Sequence, residues 1–138
     1  MRKIILASHG DYAKGLLDSV RMVVGSLADD ITAYGLYEGA SAEDYARELE
    51  REIAAAPAAE YIIITDIFGA SVCTAMMRLT RHRQVRLFTG MNLSMILELL
   101  TGYPGPLSES DIVSLVESSR QGIMHISSID VSKEEEDF

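Results

Sequence analysis

At 138 residues, 48% of them hydrophobic, the chain is long enough to bury one core and gives no reason to divide it into two. Its 12 basic and 21 acidic residues leave a net charge of −9, the wrong sign for gripping nucleic acid phosphates or an anionic membrane surface. No apolar run approaches the roughly 18 residues that mark a bilayer span, and the single cysteine, Cys73, excludes an internal disulfide and a cysteine zinc cluster. A cytoplasmic protein without membrane insertion is expected, with Cys73 as core filling.

In chain order, short runs rich in isoleucine and valine alternate with longer segments of helical period, the pattern of βαβ units around a parallel sheet. Strands are predicted at Lys3 to Ala7, Ile31 to Leu36, Tyr61 to Thr65 and Val85 to Thr89. A first helix is predicted from Tyr12 to Val24, with Leu16, Val20, Val23, Val24 and Leu27 on one face and Gly25 allowing the exit. A second opens on the capping box Ser41 and Asp44, buries Tyr45, Leu49 and Ile53, and closes at Pro57. Two more begin near Ala70 and Asn92 and turn Met76 and Leu79, then Met95, Ile96 and Leu99, toward the core. The turn Gly102-Tyr103-Pro104-Gly105-Pro106 leads to another capping box, Ser108 and Asp111, and a fifth helix carrying Ile112, Leu115 and Val116 to Gly122. Ile123 to Ile129 reads as a last strand. The expected organisation is one domain over residues 1–130 and an acidic, solvated tail over 131–138.

Ligands of open α/β sheets bind beyond the carboxyl ends of the strands, and two polar residues occupy such positions. His9 follows the first strand in Ala7-Ser8-His9-Gly10-Asp11-Tyr12, and Asp66 follows the third in Thr65-Asp66-Ile67-Phe68-Gly69-Ala70-Ser71. Gly10 and Gly69 supply backbone that a ligand can approach closely, and each loop precedes a helix whose first amides favour an anion. An imidazole attacks phosphorus only through an unprotonated nitrogen, so a reactive histidine needs a group that keeps the proton on the other one. If Asp66 accepts the Nδ1 proton of His9, Nε2 becomes the nucleophile. Backbone amides and the Ser71 hydroxyl can then stabilise phosphoryl oxygens, with neither metal nor cofactor required.

Plainer readings exist for each residue. A strand-end histidine alone is more often a loop residue bonded to backbone, but the Ser-His-Gly context together with the strand-end acid favours function for His9. Asp66 in this position is commonly a helix N-cap, and both roles are compatible. His82, between Arg81 and Arg83, reads as a solvated loop residue; His125 alternates with apolar neighbours and reads as structural. Ser71 can be an ordinary first-turn residue. Met76, Met77, Met91 and Met95 are expected to fill the core.

Three blocks together resemble the mannose-type enzyme IIA of the bacterial phosphoenolpyruvate-dependent sugar phosphotransferase system. Ser8-His9-Gly10 is similar to its phosphorylation site, Asp66-Ile67-Phe68-Gly69-Ala70-Ser71 to its Asp-x-x-Gly-Gly-Ser block, and Thr89-Gly90-Met91-Asn92-Leu93-Ser94-Met95 to its Gly-x-Asn-x-Pro-Met block. The likeness covers nearly the whole chain, down to Ser119-Arg120-Gln121-Gly122-Ile123 before the final strand. It implies an open four-stranded parallel sheet with helices on both faces and a homodimer formed by exchanging the C-terminal strand. It also implies that His9 accepts a phosphoryl group from HPr and passes it to a separate enzyme IIB serving a membrane IIC/IID permease. Asp66 would orient His9, while Gly10, Gly69, Ala70 and Ser71 would hold the phosphate. The chain departs from the family pattern at Ala70, Val72 and Ser94, which bears on loop conformation and on the choice of IIB.

Rival readings are a phosphotransfer subunit related to dihydroxyacetone kinase, a receiver-like module phosphorylated on Asp66, a histidine phosphatase, and a non-catalytic regulatory module on the same fold. A receiver needs an acidic pair for Mg²⁺ where this chain has Ser8-His9, and a phosphatase needs an arginine where Ser8 stands.

Overall fold

The computed structural model describes residues 1–127. Among them, strands β1 (Arg2–His9), β2 (Ile31–Leu36), β3 (Glu60–Thr65) and β4 (Val85–Thr89) alternate with helices α1 (Tyr12–Val24), α2 (Ala42–Ala55), α3 (Ser71–Met77) and α4 (Leu93–Gly102), and α5 (Glu109–Arg120) follows. All strand pairs are parallel, in the order β2-β1-β3-β4. β1 therefore has its chain successor on one side and β3 on the other, so strand order reverses between β1 and β3. The register sets Ala7 opposite Thr65, placing His9 and Asp66 together at the carboxyl end of that reversal.

Both faces of the sheet are covered, which explains uninterrupted runs such as Ile62-Ile63-Ile64. Ile4, Leu6, Ile62 and Ile64 pack on the side of α1, α4 and α5 with Leu17, Val20, Ile96, Leu99 and Leu115. Ile5, Ala7, Tyr61 and Ile63 point the other way, onto Ala46, Leu49 and Ile53 of α2 and Val72 and Met76 of α3. Cys73 is buried, as expected. The turn after α4 is fastened to the sheet by one ion pair: Arg2 Nε lies 2.9 Å from Glu60 Oε1, Arg2 Nη1 donates to the Tyr103 carbonyl, and Glu60 Oε2 accepts from the Leu107 amide at 2.8 Å.

Several expectations need correction. The buried face of α1 is Ala13, Leu17 and Val20, with Leu16 and Val24 half-buried; Val23 is exposed, and so is Leu27, because the chain tightens into a 3-10 helix at Gly25–Ala28 that buries Ala28 instead. Ser41 accepts from the Asp44 amide at 3.3 Å, but the Asp44 carboxylate pairs with Arg47 rather than reaching back, so that cap is half a box. At Ser108 and Asp111 both halves form. Met77 lies at the surface. The predicted last strand is absent over residues 123–127: the outer edge of β4 has no partner strand among the described residues, and Ile123, Met124 and Ile126 are exposed. A strand forms only where its backbone groups join a neighbouring edge, and the sheet over the described residues ends at β4. Ser128, Ile129 and the acidic tail lie outside the described residues.

Candidate active site

His9 is the last residue of β1, and Asp66 follows the last residue of β3. Two hydrogen bonds join them through one oxygen: Asp66 Oδ2 accepts from the His9 amide at 2.9 Å and lies 2.8 Å from His9 Nδ1. The other oxygen, Oδ1, accepts from the Ile67 amide at 3.0 Å. A carboxylate can only accept, so in the neutral ring Nδ1 carries the hydrogen and Nε2 keeps its lone pair. The Asp66 side chain is 13% exposed and the imidazole 46%, so the orienting group is shielded while the ring reaches solvent. Beside Nε2, at 3.4 Å, stands Ser71 Oγ, the first residue of α3.

Burial pushes the Asp66 carboxyl up, but the hydrogen bonds from the His9 amide and ring, the His9 charge and the Ile67 amide together outweigh it and hold the group below its ordinary value. Asp66 does not cap α3. That helix has Ala70 at its N-cap and no side-chain cap, and both carboxylate oxygens are committed to His9 and Ile67. Gly69 makes the intervening turn at φ +83°. Gly10 turns at φ +54°, and its amide donates to the Leu36 carbonyl at 2.8 Å; that donor serves the fold, and what Gly10 offers a ligand is close backbone approach.

Several supports escaped the sequence reading. Ser8, fully buried, accepts from the Ala13 amide at 2.7 Å and so fixes the start of α1 to the strand that carries His9. A buried polar residue at a strand end was the available signal. The Tyr12 hydroxyl donates to the Met91 carbonyl at 2.6 Å, tying α1 to the loop after β4, and the Met91 amide donates to the Thr65 carbonyl at 3.1 Å. Gly35 admits the β1–α1 turn, since a Cβ there would collide with the Gly10 carbonyl oxygen. On the rim, the Tyr37 hydroxyl donates to Asp11 Oδ1 and accepts from Lys14 Nζ at 2.9 Å, and this bond to Tyr37 raises the Lys14 ammonium above its ordinary value. In the Gly90-Met91-Asn92 block, Asn92 Oδ1 caps α4 by accepting from the Met95 amide at 2.9 Å.

The other histidines stand apart from this cluster. His82 is half-buried, not solvated: Nε2 lies 2.8 Å from Glu50 Oε2 on α2, which Arg81 also engages. The bonds from His82, then Arg81, hold Glu50 below its ordinary value. His125 is exposed in the segment that forms no strand. Among the described residues no helix is long and apolar enough to cross a membrane.

A family model, EIIA-man, described as the PTS system fructose IIA component, matches residues 3–116. The sorbose-specific EIIA component of the phosphotransferase system of Klebsiella pneumoniae is 35% identical over 97 residues, 70% of this chain and 70% of that protein. Among solved structures, an EIIA component from Streptococcus agalactiae superposes with a TM-score of 0.78 at 26% identity, covering 91% of this chain and 97% of its own. A mannose/sorbose-specific IIA subunit from Enterococcus faecalis gives 0.78 at 25% identity, covering 91% and 95%.

Proposed function

The chain belongs to the EIIA-man family of phosphotransferase-system IIA components, and from that premise we propose that it is a phosphocarrier in which His9 takes a phosphoryl group from HPr and gives it to an enzyme IIB. The observation that carries this reading is the pairing of His9 Nδ1 with Asp66 at 2.8 Å while Nε2 stays open beside Ser71. As Nε2 bonds to phosphorus, the bond from phosphorus to the donor atom breaks and that atom leaves with the bonding pair. The ring becomes cationic, its Nδ1 proton stays against Asp66, and the carboxylate stabilises the charge. Gly10 gives the phosphoryl group room, while Gly69, Ala70 and the Ser71 hydroxyl hold its oxygens. Transfer to IIB is the same step in reverse with a new acceptor.

This reading places the protein in the cytoplasm as a single domain over residues 1–130, working with HPr, IIB and, through IIB, a membrane IIC/IID permease. A homodimer fits it too: the outer edge of β4, which has no partner strand among the described residues, and the exposed Ile123, Met124 and Ile126 suit strand exchange between two copies. Deleting residues 123–138 should then leave a monomer by light scattering.

The decisive test is intact mass after incubation with phosphoenolpyruvate, enzyme I and HPr. One acid-labile phosphate is expected on the wild type and none on His9→Ala, with His125→Ala labelled normally. A phosphate retained by His9→Ala would move the site elsewhere. No adduct on folded wild type would favour a regulatory module.

A further inference from the structure

Resting on the phosphocarrier reading, we infer that Lys14 is the cation that offsets the Asp11 carboxylate at the rim of the site and draws the phosphoryl anion to His9. Across the four strand-to-helix connections and the first turn of each helix that follows, Lys14 is the one lysine or arginine, set among Asp11, Glu38, Glu43, Asp44 and Asp66. A phosphoryl group on a side chain carries a charge of about −1.5 to −2 at neutral pH, so an unbalanced acidic rim repels it before any contact is made. Several of these acids are already engaged: Asp66 with His9 and Ile67, Asp44 with Arg47, and Glu43 with Arg78. Asp11 is exposed and stands only two residues beyond His9.

Tyr37 fixes where the ammonium stands. Lys14 Nζ lies 2.9 Å from the Tyr37 hydroxyl and 4.7 Å from the centre of its ring, within cation–π range. The same hydroxyl donates to Asp11 Oδ1, so acid, phenol and ammonium form one chain. Two anchors bring that chain to the nucleophile. Tyr37 follows Leu36, which pairs with His9 across β1 and β2 and accepts from the Gly10 amide. Ser8 accepts from the Ala13 amide, so the first turn of α1, which carries Lys14, is tied to the strand that carries His9. A Cβ added at Gly35 would touch both the Tyr37 hydroxyl and the Gly10 carbonyl, which puts the phenol against the turn next to His9. The charge acts on the phosphoryl group rather than on the protein that brings it, so Lys14 serves delivery and removal alike.

The test is the second-order rate of His9 labelling by phosphoramidate, a small anionic donor with no protein surface, measured on the full chain at low salt. Lys14→Met should slow it about three- to fivefold and Asp11→Asn should speed it by about the same factor, with the double variant near wild type. Lys14→Arg should stay within about twofold of wild type. At about 0.5 M salt, where charges are screened within a few ångströms, the differences should shrink below about twofold. A Lys14→Met rate equal to wild type at low salt would overturn the proposal. So would slower labelling of Asp11→Asn, which would make the cluster a brace for the turn, or a Lys14→Met deficit that salt leaves unchanged. If neither phosphoramidate nor phospho-HPr labels the wild type, the phosphocarrier reading itself fails and the role of Lys14 falls with it.

Discussion

At the scale of single residues, Asp66 holds the His9 ring in one orientation, the positioning that the proposed chemistry needs. Three hydrogen bonds converge on its carboxylate, and Asn in its place keeps the shape but loses the charge that would stabilise a phosphorylated ring. Asp66→Asn should therefore slow phosphoryl acceptance from HPr about 10- to 100-fold, measured by rapid quench, with circular dichroism unchanged. A rate near wild type would remove the orienting role. The same residue predicts a pH effect. Its folded-state pKa lies below the ordinary value of 3.8, so its contribution to stability is full above that value and is lost as pH falls through the lower folded one. In urea titrations the advantage of wild type over Asp66→Asn should be present at pH 7 and should shrink below about pH 4. The candidate pair itself was legible in the chain, because a histidine and an acid each stood just past an apolar run. Their 2.8 Å contact was not legible, since 57 residues separate them and only the order of the strands brings them together.

Elements meet the site through contacts that local patterns do not announce. Gly35 is the next-to-last residue of β2, opposite Ser8, where regular strand pairing does not call for a glycine; the explanation is the Gly10 carbonyl, which occupies the space a Cβ would need. Gly35→Ala should push the β1–α1 turn outward, lower the thermal midpoint, and slow labelling of His9 both by phospho-HPr and by the small donor phosphoramidate. Unchanged midpoint and rates would show that the turn yields without cost. Helix boundaries were legible where capping chemistry is local, as at Ser108 with Asp111 and at Asn92. Two side-chain readings failed for different reasons: Asp44 is drawn to Arg47 one turn on in the same helix, and His82 is drawn from solvent to Glu50 on a different element.

For the whole molecule, one sheet shared by two apolar layers makes the layers depend on each other. Ile63 faces α2 and α3, Ile64 faces α1 and α4, and both are fully buried. Each Ile→Ala change should cost about 2–5 kcal/mol in chemical denaturation, and each should shift the same single transition; two separable transitions would contradict one domain. The chain by itself determined the class of fold, the four strands and the candidate nucleophile, because burial on both faces leaves continuous apolar runs and strand ends punctuate them with polar residues. Tertiary structure alone decided the order β2-β1-β3-β4, the joining of His9 to Asp66 and the absence of a strand over residues 123–127. Those outcomes depend on which distant edges and faces meet, and hydrophobic period reports only that a residue is buried, not against what.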